Sequence, residues 1–367
     1  MKKRTELILV SALLAMILLL SACTSSKAPE NILTYKDFSI SSDMYRFLLA
    51  VEKTSSVFNM YNQAVDKPEY WETEDGHETA DFIKSETTKY AKTLLYYCDI
   101  ALSNGLTVTD EEFNASYTNY VNEFGGTEEL LEKAMSSYGF TLELLREFIS
   151  LSLISDKGLQ FMHSDSGSDP LTEEDYERYY YTSYITLRHL YLNDTTDTEG
   201  NDLNADGRNA VKKRADEIEK LLNDGADLAD FADESDDGVL SAYPEGVTIP
   251  LDNDLYTLAD YSADSESFNL YAMYYYLIYS NPDFTSAILG AEKGEVVRIK
   301  LDDGYFFAQR LETDPDDYQQ FLPFIKSSSG IKTMKINTTV QRAENDFSEN
   351  KNAIERMLML DIPVVKP

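Results

Sequence analysis

Between residues 184 and 192 the chain reads Tyr-Ile-Thr-Leu-Arg-His-Leu-Tyr-Leu. The stretch alternates and is rich in β-branched and aromatic residues, so it predicts a strand. Counting by twos from Ile185 puts Ile185, Leu187, His189 and Tyr191 on one face. A histidine on such a face is either a satisfied core residue or part of a pocket. A polar loop over 193–207 and a helix running to Gly225 follow. Elsewhere the apolar positions recur mostly with a helical period. Residues 32–35 predict a short strand. A helix over about 42–63 carries Met44, Phe47, Leu48, Val51 and Val57. Residues 66–76, with Pro68 and Trp71, read as a loop. A long helix over about 78–103 buries Ile83, Ala91, Leu94, Leu95, Cys98, Ala101 and Leu102, and Asn104-Gly105 stops it. Thr109 to Glu112 is a capping box opening a helix with Phe113, Tyr117, Tyr120, Val121 and Phe124 on one face. Gly125-Gly126 ends it. A short helix over 128–137, a break at Gly139 and a helix from Thr141 to about Met162 complete this part. The Ser/Gly/Asp-rich stretch 163–170 predicts a domain boundary. Residues 172–181 predict a connector helix. From Asp314 the pattern is helical, with 361–365 as a final strand. The chain is expected to be α+β, with a helical part over 32–170, a small α+β unit over 171–313, and C-terminal helices over 314–367.

The first residues follow another rule. Lys2, Lys3 and Arg4 precede an apolar run over 7–20, and small residues follow. That is the layout of a secretory signal, with an apolar run too short to span a membrane comfortably. Leu20-Ser21-Ala22-Cys23 resembles the bacterial lipobox. The resemblance implies removal of residues 1–22 and a lipid on Cys23, which becomes the new N-terminus. An ordinary signal peptide or an uncleaved anchor is the alternative. Residues 23–31 then form a polar tether, and the protein sits on the outer side of a membrane through its lipid. With Cys23 modified, only Cys98 remains, so no internal disulfide forms. Cys98 is expected to be a small core residue.

The formal charge of the chain is −33. Losing Lys2, Lys3, Arg4 and Glu6 takes the 32 basic and 65 acidic residues to 29 and 64. Such a surface repels nucleic acid and anionic headgroups. Yet 43% of residues are apolar and 12% aromatic, so the chain is globular and not an acidic disordered one.

Three segments carry a family resemblance. Ser103-Asn-Gly-Leu-Thr-Val-Thr-Asp-Glu-Glu-Phe113, then Phe124-Gly-Gly-Thr-Glu-Glu-Leu-Leu131, then Tyr138-Gly-Phe-Thr-Leu-Glu-Leu-Leu-Arg146 resemble the helical N-terminal domain of the SurA/PrsA-like extracytoplasmic foldases. They are also similar to the matching region of trigger-factor-type chaperones. The family architecture implied is an all-helical cradle for unfolded polypeptide, built from N- and C-terminal segments, with a parvulin-type peptidyl-prolyl isomerase domain inserted. The second unit continues the likeness. Arg188-His189-Leu190 resembles the first parvulin strand. Residues 218–235 resemble its first helix, the "GxDFxxLAxxxS" turn and its second helix. Phe284-Thr-Ser-Ala287 resembles the "FxxA" helix. Gly294-Glu295-Val296 and Asp303-Gly304-Tyr305 resemble the "GEVS" and "GYHII" signatures. The implied partners are unfolded, secreted polypeptides.

Turning an X–Pro bond crosses a barrier of about 18–20 kcal/mol and needs no cofactor. It needs an apolar seat for the proline ring, exclusion of water and electrostatic help for the twisted amide. Parvulins place two histidines on neighbouring strands beside that seat, with an aspartate or cysteine nearby. The resemblance makes His189 the catalytic position and puts Phe284, Leu289, Tyr305 and Phe306 around the pocket. The chain departs from the family there. Phe306 replaces the second histidine, Leu289 replaces an aromatic, and Asp237 to Gly246, leading to an acidic, Tyr-rich insertion up to Pro282, stands in place of a "GGDLG" segment. These changes fall on the pocket and spare the scaffold, a pattern that fits a fold retained with weak or absent isomerase activity.

No metal site is expected from three scattered histidines and one usable cysteine. His77 and His163 lie at helix ends and read as solvated. Residues 202–207 match the first half of an EF-hand loop, but the twelfth position is Lys213, and turn-forming and capping roles explain the same residues. Acidic runs at 233–237 and 314–317 read as solvated faces, and no Gly-x-Ser-x-Gly elbow occurs. A ligand-binding lipoprotein serving a transporter is the competing class, and it requires two similar α/β lobes.

Overall fold

The computed structural model describes residues 30–59, 66–197, 200–251, 255 and 266–365. Cys23, the signal stretch and much of the acidic insertion lie outside the described residues. The chain divides into two compact units. One holds the described residues up to Pro170 with those from Ile336 onward, and the other holds Leu171–Lys335.

The first unit opens with a hairpin, β1 (Asn31–Tyr35) and β2 (Phe38–Ser41), whose turn puts Lys36 at φ 51. Five helices follow: α1 (Ser42–Asn59), α2 (Glu74–Ser103), α3 (Asp110–Glu123), α4 (Glu128–Ser137) and α5 (Leu142–His163). A threonine hydroxyl caps each of the last four, from Thr73, Thr109, Thr127 and Thr141. Each such cap satisfies an otherwise orphaned N–H and contributes about 1 kcal/mol. Gly105, Gly125, Gly126 and Gly139 all have positive φ, which is why the helices stop where glycine occurs. α2 starts earlier than its apolar period suggests, because Thr73 and not Gly76 sets its first turn. The expected loop at Pro68 holds one helical turn, Pro68–Trp71.

The second unit begins with α6 (Glu173–Ser183), capped by Thr172, and runs directly into β3 (Tyr184–Asn193). Then come α7 (Ala205–Asn223), a 3-10 turn over Leu228–Glu234 where a second helix was expected, and β4 (Val247–Pro250). α8 (Glu266–Ser280), α9 (Pro282–Gly290), β5 (Val296–Leu301) and β6 (Gly304–Leu311) follow. The four strands form one antiparallel sheet in the order β4-β3-β6-β5. Its two faces bury different sets. Ile185, Leu187, Ile249, Ile299, Phe306 and Ala308 pack under α8 and α9. Leu190, Leu192, Tyr305 and Phe307 pack under α7 and the 3-10 turn. The period-two reading of β3 therefore holds.

Beyond the sheet lie α10 (Tyr318–Ser327) and α11 (Ser329–Arg342). Tyr318, Phe321 and Ile325 join Tyr179, Tyr180 and Tyr184 in one aromatic cluster, and Lys335 pairs with buried Asp175 at 2.8 Å. Residues 314–335, expected with the C-terminal return, thus sit in the second unit. The return begins at Ile336. It adds β7 (Phe347–Glu349) antiparallel to β1, with Tyr35 opposite Phe347 and their rings stacked at 4.5 Å. The first unit is therefore not all helical: it carries a three-stranded sheet, β2-β1-β7. The expected strand at 361–365 is absent. Residues 359–361 form a 3-10 turn instead.

Gly158 marks the tightest helix contact of the first unit. A Cβ there would stand 2.0 Å from the backbone oxygen of Tyr97 on α2. Gly158→Ala must push α5 off α2, and overpacking of this kind costs about 1–3 kcal/mol. Urea unfolding of the variant should show a lower midpoint with an unchanged slope; an unchanged midpoint would contradict the close crossing.

Candidate functional site

His189 sits in the middle of β3, opposite Ala308 of β6, and its side chain is fully buried on the α8 face. Its ring lies flat against Phe306, with centroids 4.4 Å apart and planes at 17°. Phe306 is opposite Tyr191, so the contact is the diagonal one expected between neighbouring antiparallel strands. Phe284 closes on Phe306 edge-on at 5.4 Å.

Both ring nitrogens are engaged. Nε2 is 2.6 Å from Asp237 Oδ2, and Nδ1 is 2.7 Å from the Tyr274 hydroxyl. Burial raises the Asp237 carboxyl, but the hydrogen bond and charge of His189, with the Val239 N–H and Ser235 hydroxyl, outweigh it and hold it below the usual aspartate range. An ionised carboxylate only accepts, so Nε2 carries the proton and donates to it. Nδ1 and the Tyr274 hydroxyl share the second hydrogen bond. Burial pushes that phenol upward, so its proton stays in place. Asp237 Oδ1 accepts from the Ser235 hydroxyl at 2.8 Å and the Val239 N–H at 3.0 Å.

The hydrogen bonds tie three pieces of chain together and leave the imidazole no free nitrogen to offer a substrate amide. The space beside it is occupied by Phe306, Phe284 and Tyr274, all fully buried. Two residues expected at the pocket are elsewhere. Leu289 is 47% exposed on α9. Tyr305 lies on the opposite sheet face, under the Arg298 guanidinium at 4.7 Å, because adjacent strand residues point to opposite sides. Arg188 is also on that side, bonded to Gln309 and to Asp227, the cap of the 3-10 turn.

Tyr274 and Asp237 were missed from sequence. Tyr274 lies in a run of three tyrosines on a helix that is apolar almost all round, so no period singles it out. Asp237 closes the acidic run 233–237, where its neighbours are as acidic as it is. The aspartate that accompanies the parvulin pocket was the available signal. Other expected positions also changed. His163 is not solvated: it bonds the Tyr97 hydroxyl and the Asp169 carbonyl, both at 2.6 Å. His77 is exposed. Asn204 of the EF-hand-like stretch caps α7 through the Gly207 N–H at 2.9 Å. Among the described residues no cluster of three or more His, Cys, Asp or Glu is arranged to hold a metal. Cys98 is buried and its thiol is pushed up to about 12, chiefly by burial.

No family model matches the sequence, and no curated relative matches it either. Solved structures do align. Peptidylprolyl isomerase PrsA from Bacillus anthracis aligns at 13% identity and a TM-score of 0.25, over 68% of this chain and 95% of that one. PrsA from Bacillus subtilis gives 16% and 0.21, over 76% and 86%. Foldase protein PrsA from Streptococcus pneumoniae gives 16% and 0.22, over 90% and 99%. Superpositions this loose carry no argument about activity.

The hydrogen bonds of Asp237 make a pH signature. Its folded pKa lies below the ordinary value near 3.8, so its contribution is present above that value and is lost as pH falls through the folded one. Asp237→Asn should lower stability at pH 7 by about 1–3 kcal/mol. The gap between wild type and variant should then close below pH 4, measured by thermal unfolding across pH. A gap independent of pH would contradict the ionised partner.

Proposed function

We propose that this chain is a lipid-anchored, extracytoplasmic folding factor that holds unfolded secreted polypeptides, and that its parvulin-like unit contributes binding and not isomerisation. The ordered motifs from Ser103 to Tyr305, behind the lipobox-like Leu20-Ser21-Ala22-Cys23, support the class. The observation that carries the choice of holdase over isomerase is the buried imidazole. His189 has Asp237 on one nitrogen and Tyr274 on the other, and Phe306 lies against its ring face. A catalyst of X–Pro rotation needs an open proline-sized seat beside polar groups that strengthen as the amide twists. Here those polar groups are spent on one another, and the seat is filled by aromatic rings.

The acidic surface suits the role. It attracts basic, unfolded chains weakly, and it keeps a protein that handles sticky clients soluble. The transporter reading draws no support, since both sheets of the described residues are antiparallel and the parallel strands of βαβ lobes are not among them.

One pair of assays decides between the versions. With a client whose refolding is limited by proline isomerisation, the chain should leave the slow rate unchanged. With a thermally unfolded client, it should suppress aggregation at near-stoichiometric amounts. Acceleration of refolding that is lost in His189→Ala, with the variant still folded by circular dichroism, would make the protein an isomerase instead.

A further inference from the structure

Residues 357–365 of the returning chain form one 3-10 turn with flanking residues that belong to no helix or strand. They lie along α1, and the way they are held is unusual. Lys53 is only 2% exposed, and its ammonium donates to the backbone carbonyls of Met359 at 2.8 Å and Ile362 at 2.7 Å. The Arg46 guanidinium donates to the carbonyl of Asp361 at 3.2 Å. The Thr54 hydroxyl accepts the backbone N–H of Val365 at 2.8 Å. Arg46, Lys53 and Thr54 all reach the segment from α1, Lys53 and Thr54 lying two turns beyond Arg46.

All four hydrogen bonds go to main chain, and none reads a side chain. The side chains that do enter are apolar: Met359 and Ile362 are buried in the core, three residues apart, while Leu358 and Leu360 are exposed. A surface that grips carbonyls and an N–H, with seats for two apolar groups, accepts any chain offering that pattern. This is main-chain recognition with pockets for selected side chains, as in strand- and groove-type peptide binding.

Two further features fit an occupant that can leave. Lys53 is not orphaned without the segment, because Asp66 Oδ1 is 2.8 Å from its nitrogen and the Trp71 ring centroid 5.1 Å away. A buried cation with no remaining partner would forbid departure; this one keeps an anion and an aromatic face. A cavity of about 520 Å³ also lies alongside, lined by Arg46, Arg356, Met357, Leu358, Asp361 and Ile362.

We infer that the α1 surface bearing Arg46, Lys53 and Thr54 is a polypeptide-binding groove, occupied in this structure by the chain's own residues 357–365. Apolar segments of an unfolded client compete with that resident segment. The client part of this inference rests on the proposed holding of unfolded polypeptide; the groove itself does not. The resident segment is tethered and acts at a high effective concentration, so it screens the groove against weak ligands and yields to long or abundant ones.

A reversible lock tests it. Thr54→Cys with Val365→Cys puts one thiol on α1 and one on the residue whose backbone N–H bonds the Thr54 hydroxyl, so that oxidation ties the segment down and reduction frees it. A labelled peptide with the sequence of residues 357–365 is the probe. Binding should be at least tenfold weaker to the oxidised form than to the reduced form. In the otherwise native chain, Ile362→Asp should strengthen peptide binding about tenfold by removing one apolar anchor of the competitor. Equal binding in the two redox states, or no binding to the reduced form, overturns the inference even if Ile362→Asp fails to fold. Client aggregation is measured in parallel. Suppression that is absent in every form, beside a lock-dependent peptide signal, refutes the holding function and leaves the groove standing.

Discussion

An imidazole buried in an apolar layer must find a partner for each of its two nitrogens, and in this chain that requirement organises the second unit. His189 is fixed to the central strand by sheet register, so its partners have to come to it. Asp237 is brought by the turn after Leu228–Glu234, and Tyr274 by α8. The 3-10 turn belongs to one face of the sheet and α8 to the other, so a single side chain links layers that share no core. Removing the ring would leave a carboxylate and a phenol facing an apolar gap. Phe306 packs flat against the ring, and Phe284 holds Phe306 in turn.

The units use scarce cations in similar ways. Basic residues number 32 against 65 acidic ones, yet several lysines are buried. Lys92 is held between Glu344 and Glu349 at 2.5 Å each, joining α2 to the returning chain. Lys335 meets Asp175, which also caps α6. Lys53 meets Asp66 and two carbonyls. Buried pairs of this kind add little net stability but strongly penalise arrangements that leave one member alone. In a chain with so many carboxylates, placing the few ammonium groups inside limits which segments can come together.

Much of this architecture was legible in the sequence. Threonine caps and helix-stopping glycines marked the helices of residues 110–163 closely, because both act through local backbone geometry, whereas the first turn of α2, capped by Thr73, fell in a stretch read as loop. The alternation in β3 assigned faces correctly for the same reason. The site was less legible. His189, Phe284 and Phe306 come together as the family likeness implies, while Leu289 and Tyr305 do not. Leu289 lies at the exposed end of a short helix, and Tyr305 is one residue out of phase with the buried face. Tyr274 and Asp237 depend on long-range packing, which no local period encodes. The strand at Phe347–Glu349 was hidden for a related reason: three residues show no pattern until β1 supplies an edge to pair with.

That pairing has a temporal consequence. Asn350 reaches Glu30 at 2.7 Å across 320 residues of sequence, beside the strand pair β1–β7. Contacts of such separation are the slowest to form, since the loop must close before the pairing rewards it. A chain that emerges from synthesis or export with its first residues leading exposes β1 and β2 long before their third strand exists. In that interval the unpaired edge of β1 is open to other chains. The Leu171–Lys335 unit carries its whole sheet within itself and can mature during the wait. The first unit closes last, and the protein passes through the same unfinished condition that we propose it relieves in others.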